Sequence, residues 1–152
     1  MLYLDASALV KRYIQEAGSE TVNLYFERDE RIFISVLSYA EVQAALGRKR
    51  HNGDLRPAEF QRARQRFLEE FVFHLELVDV DTKTMSAIPD LVERHPIRGA
   101  DAVQLSSVLW LRDMIRLVPS FIEGEKQLEF VTADERLAGF AREAGLTVSA
   151  IS

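Results

Sequence analysis

The chain has 152 residues, no cysteine and a formal net charge of −5, with 47% hydrophobic and 28% charged residues. That length suits one domain, residues 1–152, able to bury roughly 68–70% of its unfolded surface, with the composition of an ordinary soluble globular protein. The missing cysteine excludes disulfides, thiolate metal sites and thiol nucleophiles and suits a reducing cytoplasm; the acidic balance argues against indiscriminate charge-driven binding to nucleic acid, and no apolar run approaches the ~20 residues of a membrane span.

Met1-Leu2-Tyr3-Leu4 reads as a short buried strand, followed at once by Asp5 and Ser7. Ala8, Leu9, Val10, Tyr13 and Ile14 then take helical spacing, which turns Lys11 and Arg12 outward. A strand that ends in Asp and enters a helix points a carboxylate at the carboxyl edge of a sheet, where open α/β proteins bind ligands. The plainer reading is that Asp5 or Ser7 caps the helix. After a break at Glu16-Ala17-Gly18, Ser19 is placed to cap a second helix with Val22, Leu24, Tyr25 and Phe26. Arg31 to Val36 is a continuous apolar run, as in a buried parallel strand. A third helix runs from Ser38 to about Arg50 and ends at Asn52-Gly53; Pro57 opens a fourth, with Phe60, Phe67, Leu68 and Phe71 as its core stripe.

Leu75 to Val80 predicts a third strand, and Asp81 is placed to cap a helix through Met85, Ile88, Leu91 and Val92 that Pro89 kinks or divides. Gly99-Ala100-Asp101 opens a helix apolar nearly all round, with Trp110 in the core. Arg116 to Gln127 is the longest irregular connection. Leu128 to Thr132 predicts a fourth strand, Asp134 to Ala144 a helix, and Leu146 to Val148 a last strand. Alternation of strands with helices predicts a three-layer α/β/α domain around a parallel sheet of about five strands.

Four acids share one address in that scheme. Asp5 ends the first strand, Glu41 lies in the first turn after the second, Asp101 opens the buried helix and Asp134 follows the fourth strand. Each has a local explanation: Ser38-x-x-Glu41 and Thr132-x-x-Glu135 match capping boxes, and acids favour first helical turns. Those explanations do not account for convergence. Two carboxylates about 5 Å apart repel by roughly 3 kcal/mol at an effective dielectric near 20, so a cluster either keeps protons or binds cations. Oxygen donors without His or Cys select hard ions, Mg²⁺ or Mn²⁺, which suit phosphodiester hydrolysis.

The segments Leu4 to Lys11, Ser38-Tyr39-Ala40-Glu41-Val42, Arg98 to Val103 and Phe130 to Leu137 resemble, in order, the motifs of PIN-domain proteins. The resemblance is nearest to the VapC-type toxins of type II toxin–antitoxin pairs, and it spans nearly the whole chain. It implies the PIN-like fold and a magnesium- or manganese-dependent endoribonuclease. By the same resemblance Asp5, Glu41 and Asp101 hold the metal with Asp134 as the fourth acid, and Ser7 and Thr132 support them by hydrogen bonds to a carboxylate or a bound water. It also implies an RNA substrate, a cognate antitoxin, a homodimer and a cytoplasmic location. The long connection ahead of Asp134 leaves open whether that residue contacts metal directly or lines the site. The alternative function is a non-catalytic PIN-like module that binds RNA or a protein partner.

A receiver domain would need paired acids after the first strand and a lysine after the last; a phosphatase built on a nucleophilic Asp would need Asp-x-Asp where Asp5-x-Ser7 stands. The basic residues Arg48, Lys49, Arg50, Arg56, Arg62, Arg64 and Arg66 form either an RNA-facing patch or a solvated helical face with pairs such as Arg66–Glu70. Lys11 and Arg12 stand within two turns of Asp5, near enough in sequence for a phosphate, with simple surface exposure as the plainer reading. His51, His74 and His95 have no metal-ligand spacing. Leu24, Tyr25 and Phe26 serve either the core or a dimer or antitoxin surface.

Overall fold

The computed structural model describes residues 1–28, 30–118 and 127–152. Five parallel strands form one sheet in the order β3-β2-β1-β4-β5, with β1 at Leu2–Leu4, β2 at Ile32–Ser35, β3 at Glu76–Val78, β4 at Glu129–Thr132 and β5 at Thr147–Ala150. The helices among the described residues are α1 (Ala6–Leu9, continued by a 3₁₀ turn Val10–Arg12), α2 (Ser19–Glu27), α3 (Leu37–His51), α4 (Pro57–Phe73), α5 (Ile88–Arg94), α6 (Gly99–Leu117) and α7 (Glu135–Glu143). This is the predicted three-layer α/β/α arrangement. The irregular stretch expected between Arg116 and Gln127 falls mostly outside the described residues.

The two-residue period of a strand divides the core. Leu2 and Leu4 of β1, Ile32 and Ile34 of β2 and Val131 of β4 face a cluster with Leu9, Val22, Val42, Leu46 and Phe67 from α1 to α4. Tyr3, Phe33 and Phe130 point the other way, against Leu91, Leu105, Val108, Leu137 and Ala141 from α5 to α7. Both faces of the central strands are therefore covered, which is why they read as unbroken apolar runs.

Several local expectations are corrected. Residues 81–87 form turns, and helix α5 starts only at Ile88 with Pro89 in its first turn. Asp81 accepts the backbone N–H groups of Lys83 and Thr84 and so closes a turn; proline then starts a fresh helix because it needs no N–H acceptor there. Leu68 is exposed, since the buried stripe of α4 follows Ala63 and Phe67, with Phe60 and Phe71 packed beside it, and residue 68 lies about 100° round the helix from 67.

Lys11 and Arg12 do not face out. The 3₁₀ turn changes the helical phase, so Lys11 is buried with its Nζ donating to the Ala17 carbonyl at 2.6 Å. Arg12 reaches α4 and α2: its guanidinium donates to Glu70 at 2.9 Å and to Asn23 at 2.8 Å, and lies 4.3 Å over the Phe26 ring. Both are committed to packing, with neither exposed as a phosphate contact.

Candidate active site

The sheet grows from β1 towards β2 and β3 on one side and towards β4 and β5 on the other. Adjacent strands β1 and β4 thus send their chains to opposite sides, and in open α/β sheets the crevice at the carboxyl ends of such a pair is where ligands bind. Asp5 follows β1 directly and Thr132 ends β4 at this junction.

Asp5 is buried, and its carboxylate is almost fully engaged. It accepts the Ala8 N–H at 2.9 Å, which caps α1, and the Ser7 hydroxyl at 2.7 Å. Thr132 Oγ1 donates to Asp5 Oδ2 at 2.9 Å and accepts the Asp134 N–H at 3.0 Å. Ser7 Oγ accepts the Ala133 N–H at 2.9 Å. The cap and the site are one structure at Asp5. Burial pushes its carboxyl up to about 6 against the pull of these hydrogen bonds, and the Glu41 charge adds to the rise.

Glu41 stands in the first turns of α3. The expected Ser38–Glu41 capping box is not formed: Val36 is the N-cap without a side-chain bond, and the buried Ser38 hydroxyl accepts from Gln104 Nε2 at 2.9 Å. The same Nε2 donates to Glu41 Oε2 at 2.6 Å. Burial raises the Glu41 carboxyl, the Gln104 bond opposes that, and the charge of Asp101 raises it further. Asp101, in the first turn of α6, is likewise raised by burial and by the charge of Asp134, with Arg98 and Arg136 opposing; Arg136 Nη2 is 4.0 Å from Asp101 Oδ2. Asp134 is the N-cap of α7, its Oδ1 accepting from the N–H groups of Arg136 and Leu137. The Thr132–Glu135 capping box is therefore replaced by Asp134, which frees the Thr132 hydroxyl for Asp5.

The four acids form a chain of electrostatic neighbours, Asp5 to Glu41 to Asp101 to Asp134, at one edge of the sheet. Among the described residues no three of His, Asp or Glu are grouped closely enough to hold a metal ion as they stand. The donor set nevertheless fits a hard divalent cation in chemistry: all donors are oxygens, and at Asp5, Glu41 and Asp101 burial first and a neighbouring carboxylate second disfavour the charged form, so a counter-charge would be bound with gain.

Two residues of this edge give no signal in the sequence. Gln104 is a lone amide in an apolar helix, yet it is buried and also accepts from the Tyr3 hydroxyl at 3.0 Å. Arg136 reads as an ordinary exposed helical arginine. The basic patch lies elsewhere: Arg48 to Arg50 sit at the far end of α3, about 10–14 Å along the helix axis from Glu41 at 1.5 Å per residue. Much of its charge is paired, Lys49 with Glu16 and Asp54, Arg56 with Glu59 and Arg66 with Glu70. On α2, Tyr25 is buried and Leu24 is exposed. No helix of the described residues is long and apolar enough to cross a membrane.

Comparison with known proteins matches this geometry to a family. The sequence profile of the PIN domain matches residues 2–143. The chain is 34% identical over 113 residues to "Ribonuclease VapC45" and to "Ribonuclease VapC49", both of Mycobacterium tuberculosis, covering 74% of this chain and 78% of each relative. In fold it is similar to a chain of the VapBC2 structure from Rickettsia felis bound to a promoter DNA fragment, with a TM-score of 0.63, 16% identity and 100% of both chains covered. It is also similar to a chain of FitAcB from Neisseria gonorrhoeae, with a TM-score of 0.62, 15% identity and 97% and 96% of the two chains covered. Over residues 2–143, which carry its first four strands and all four acids, this chain belongs to the PIN domain family.

Proposed function

We propose that the chain is a metal-dependent endoribonuclease that hydrolyses RNA phosphodiester bonds as the toxin of a toxin–antitoxin pair, a single PIN-like unit working in the cytoplasm with a cognate antitoxin and as a homodimer. The observation that carries the reading is the buried Asp5 carboxylate at the β1–β4 junction, raised to about 6 and backed by three further acids. The ribonuclease names of the curated relatives support the substrate class, and divalent-metal dependence is general among PIN-domain ribonucleases.

Asp5, Glu41 and Asp101 would hold Mg²⁺ or Mn²⁺, with Asp134 completing the acidic edge. When bound, the ion supplies Lewis-acid stabilisation of the charge that builds on the phosphate and acidifies the attacking water. The chain's own residues do the rest. Ser7 and Thr132 fix the Asp5 carboxylate through their hydroxyl protons. Arg136, half exposed beside Asp101, faces the same edge and offers a cation to the substrate's phosphate.

The test is cleavage of a panel of structured RNAs with Mg²⁺ or Mn²⁺, with and without EDTA, by wild type and Asp5→Asn. The expected result is metal-dependent cleavage by wild type alone. Cleavage by Asp5→Asn at the wild-type rate, or full activity in EDTA, overturns the proposal; RNA binding without cleavage by wild type makes the chain a binding module.

A further inference from the structure

We infer that Gln104 is a positioning residue for the candidate metal site: its carboxamide locks Glu41 and ties it to the helix that carries Asp101. The inference rests on the metal-site reading above and goes on to say what holds that site in shape.

Gln104 is buried, and both of its N–H donors and one lone pair of its carbonyl oxygen are used. Its Oε1 accepts from Tyr3 of β1 at 3.0 Å, and its Nε2 donates to Ser38 at 2.9 Å and to Glu41 at 2.6 Å. The amide has only one workable orientation. Turned over, it would set Oε1 against the Glu41 carboxylate, two acceptors with no proton between them. Gln104 stands one turn after Asp101, so both project from the same side of α6, and the bond to Glu41 joins α3 to α6 at the acidic edge. A long glutamate side chain left alone would sample several rotamers; a buried amide at 2.6 Å selects one. Partners that orient a metal-binding side chain contribute about 10–100-fold in metal affinity when removed.

The isosteric Gln104→Met removes the two N–H donors while filling the space. Tyr3→Phe keeps the amide but removes its anchor. Val108→Ala is the control, a core truncation on the same helix that removes none of these hydrogen-bonding groups. Each is titrated with Mn²⁺ alone, following the EPR signal of the free ion, beside a urea unfolding curve. The expected result is that wild type binds, Gln104→Met binds about tenfold more weakly or worse, Tyr3→Phe weakens severalfold, and Val108→Ala stays within twofold whatever its loss of stability. If Gln104→Met does not fold, Tyr3→Phe decides alone. Wild-type affinity in both site variants, or affinity that follows stability through the Val108→Ala control, overturns the inference. Failure of wild type to bind Mn²⁺ instead removes the metal-site reading on which it rests.

Discussion

The Thr132 hydroxyl joins the ends of two neighbouring strands by donating to Asp5 at 2.9 Å while it accepts the Asp134 N–H at 3.0 Å. One buried hydroxyl thereby fixes the carboxylate after β1 and the acid after β4, at the junction where the sheet changes direction. Replacing it with valine keeps the shape and removes both bonds. Thr132→Val is expected to destabilise by about 1–3 kcal/mol, the usual cost of leaving a charged acceptor short of a donor. The sign with pH follows: with one donor fewer, Asp5 rises further above its unfolded value. The part of the deficit that comes from Asp5 should be small near pH 5, where Asp5 is largely protonated in both, and full at about pH 8, while the part from the Asp134 N–H persists at both. Urea unfolding at the two pH values measures it.

Asp5 itself costs the fold stability. Its folded value of about 6 lies above the ordinary 3.8, so the native state holds more protons than the unfolded state between those values. Stability therefore falls as pH rises from about 4 to 6 and stays lowered above it. Asp5→Asn removes the charge and keeps an acceptor for the Ala8 N–H. Near neutral pH it should be more stable than wild type by about 1–2 kcal/mol, less than the full shift implies because one charge-assisted acceptor is lost. The gain should vanish near pH 4. A variant less stable than wild type at pH 7 and above would show that hydrogen bonds outweigh burial at this carboxylate. RNA cleavage should be lost in the same variant.

Arg12 and Glu70 form a largely buried pair, with side chains 14% and 12% exposed. Burial alone would raise Glu70; the hydrogen bond and charge of Arg12, helped by Arg66, hold it below the ordinary carboxylate value. Arg12→Met should cost about 2–4 kcal/mol, chiefly by leaving Glu70 desolvated with a weaker partner. Because the folded value is depressed, this contribution is present above the ordinary carboxylate pKa and is lost as pH falls through the folded one. The penalty should accordingly shrink in acid, and Arg12→Met with Glu70→Leu should recover most of it. Thermal unfolding across pH decides the matter.

The parts of the structure legible in the sequence are those where a pattern has one physical meaning. Leu2 to Leu4, Ile32 to Ser35 and Glu129 to Thr132 lie in strands covered on both faces, so apolar runs of that length between turn residues place them. Asp5, Glu41, Asp101 and Asp134 each sit at a strand end or in the first turns of a helix, positions that follow once the elements are assigned. What escaped the sequence depends on phase and on long-range pairing. Lys11 and Arg12 turn inward because a 3₁₀ turn rotates them from their α-helical direction. Gln104 sits in a run of apolar residues, and nothing local tells a partnered amide from a tolerated one; its partners lie 63 to 101 residues away. The apparent capping boxes failed because a hydroxyl finds a stronger partner in a distant carboxylate or amide than in the third N–H of its own helix.

The turn before α2 depends on glycine at position 18. Its φ is +83°, and a Cβ built there would meet Ile151 Cγ2 at 2.6 Å, Lys11 Cδ at 3.3 Å and the Ser152 carbonyl oxygen at 3.3 Å. Two separable costs follow for Gly18→Ala. The left-handed backbone disfavours any L side chain by about 1–2 kcal/mol, and the contact with Ile151, a core residue, forces a shift of about another 1–2 kcal/mol. The total of about 2–4 kcal/mol should lower the melting temperature by roughly 5–15 °C for a chain of this size. Ile151→Ala, itself destabilising through its cavity, removes the atom in conflict. In the double variant the effect of Gly18→Ala should drop to the backbone part alone, giving a coupling of about 1–2 kcal/mol. Strict additivity of the two substitutions would mean that the C-terminal Ile151 yields freely, and that only the left-handed turn before α2 requires glycine.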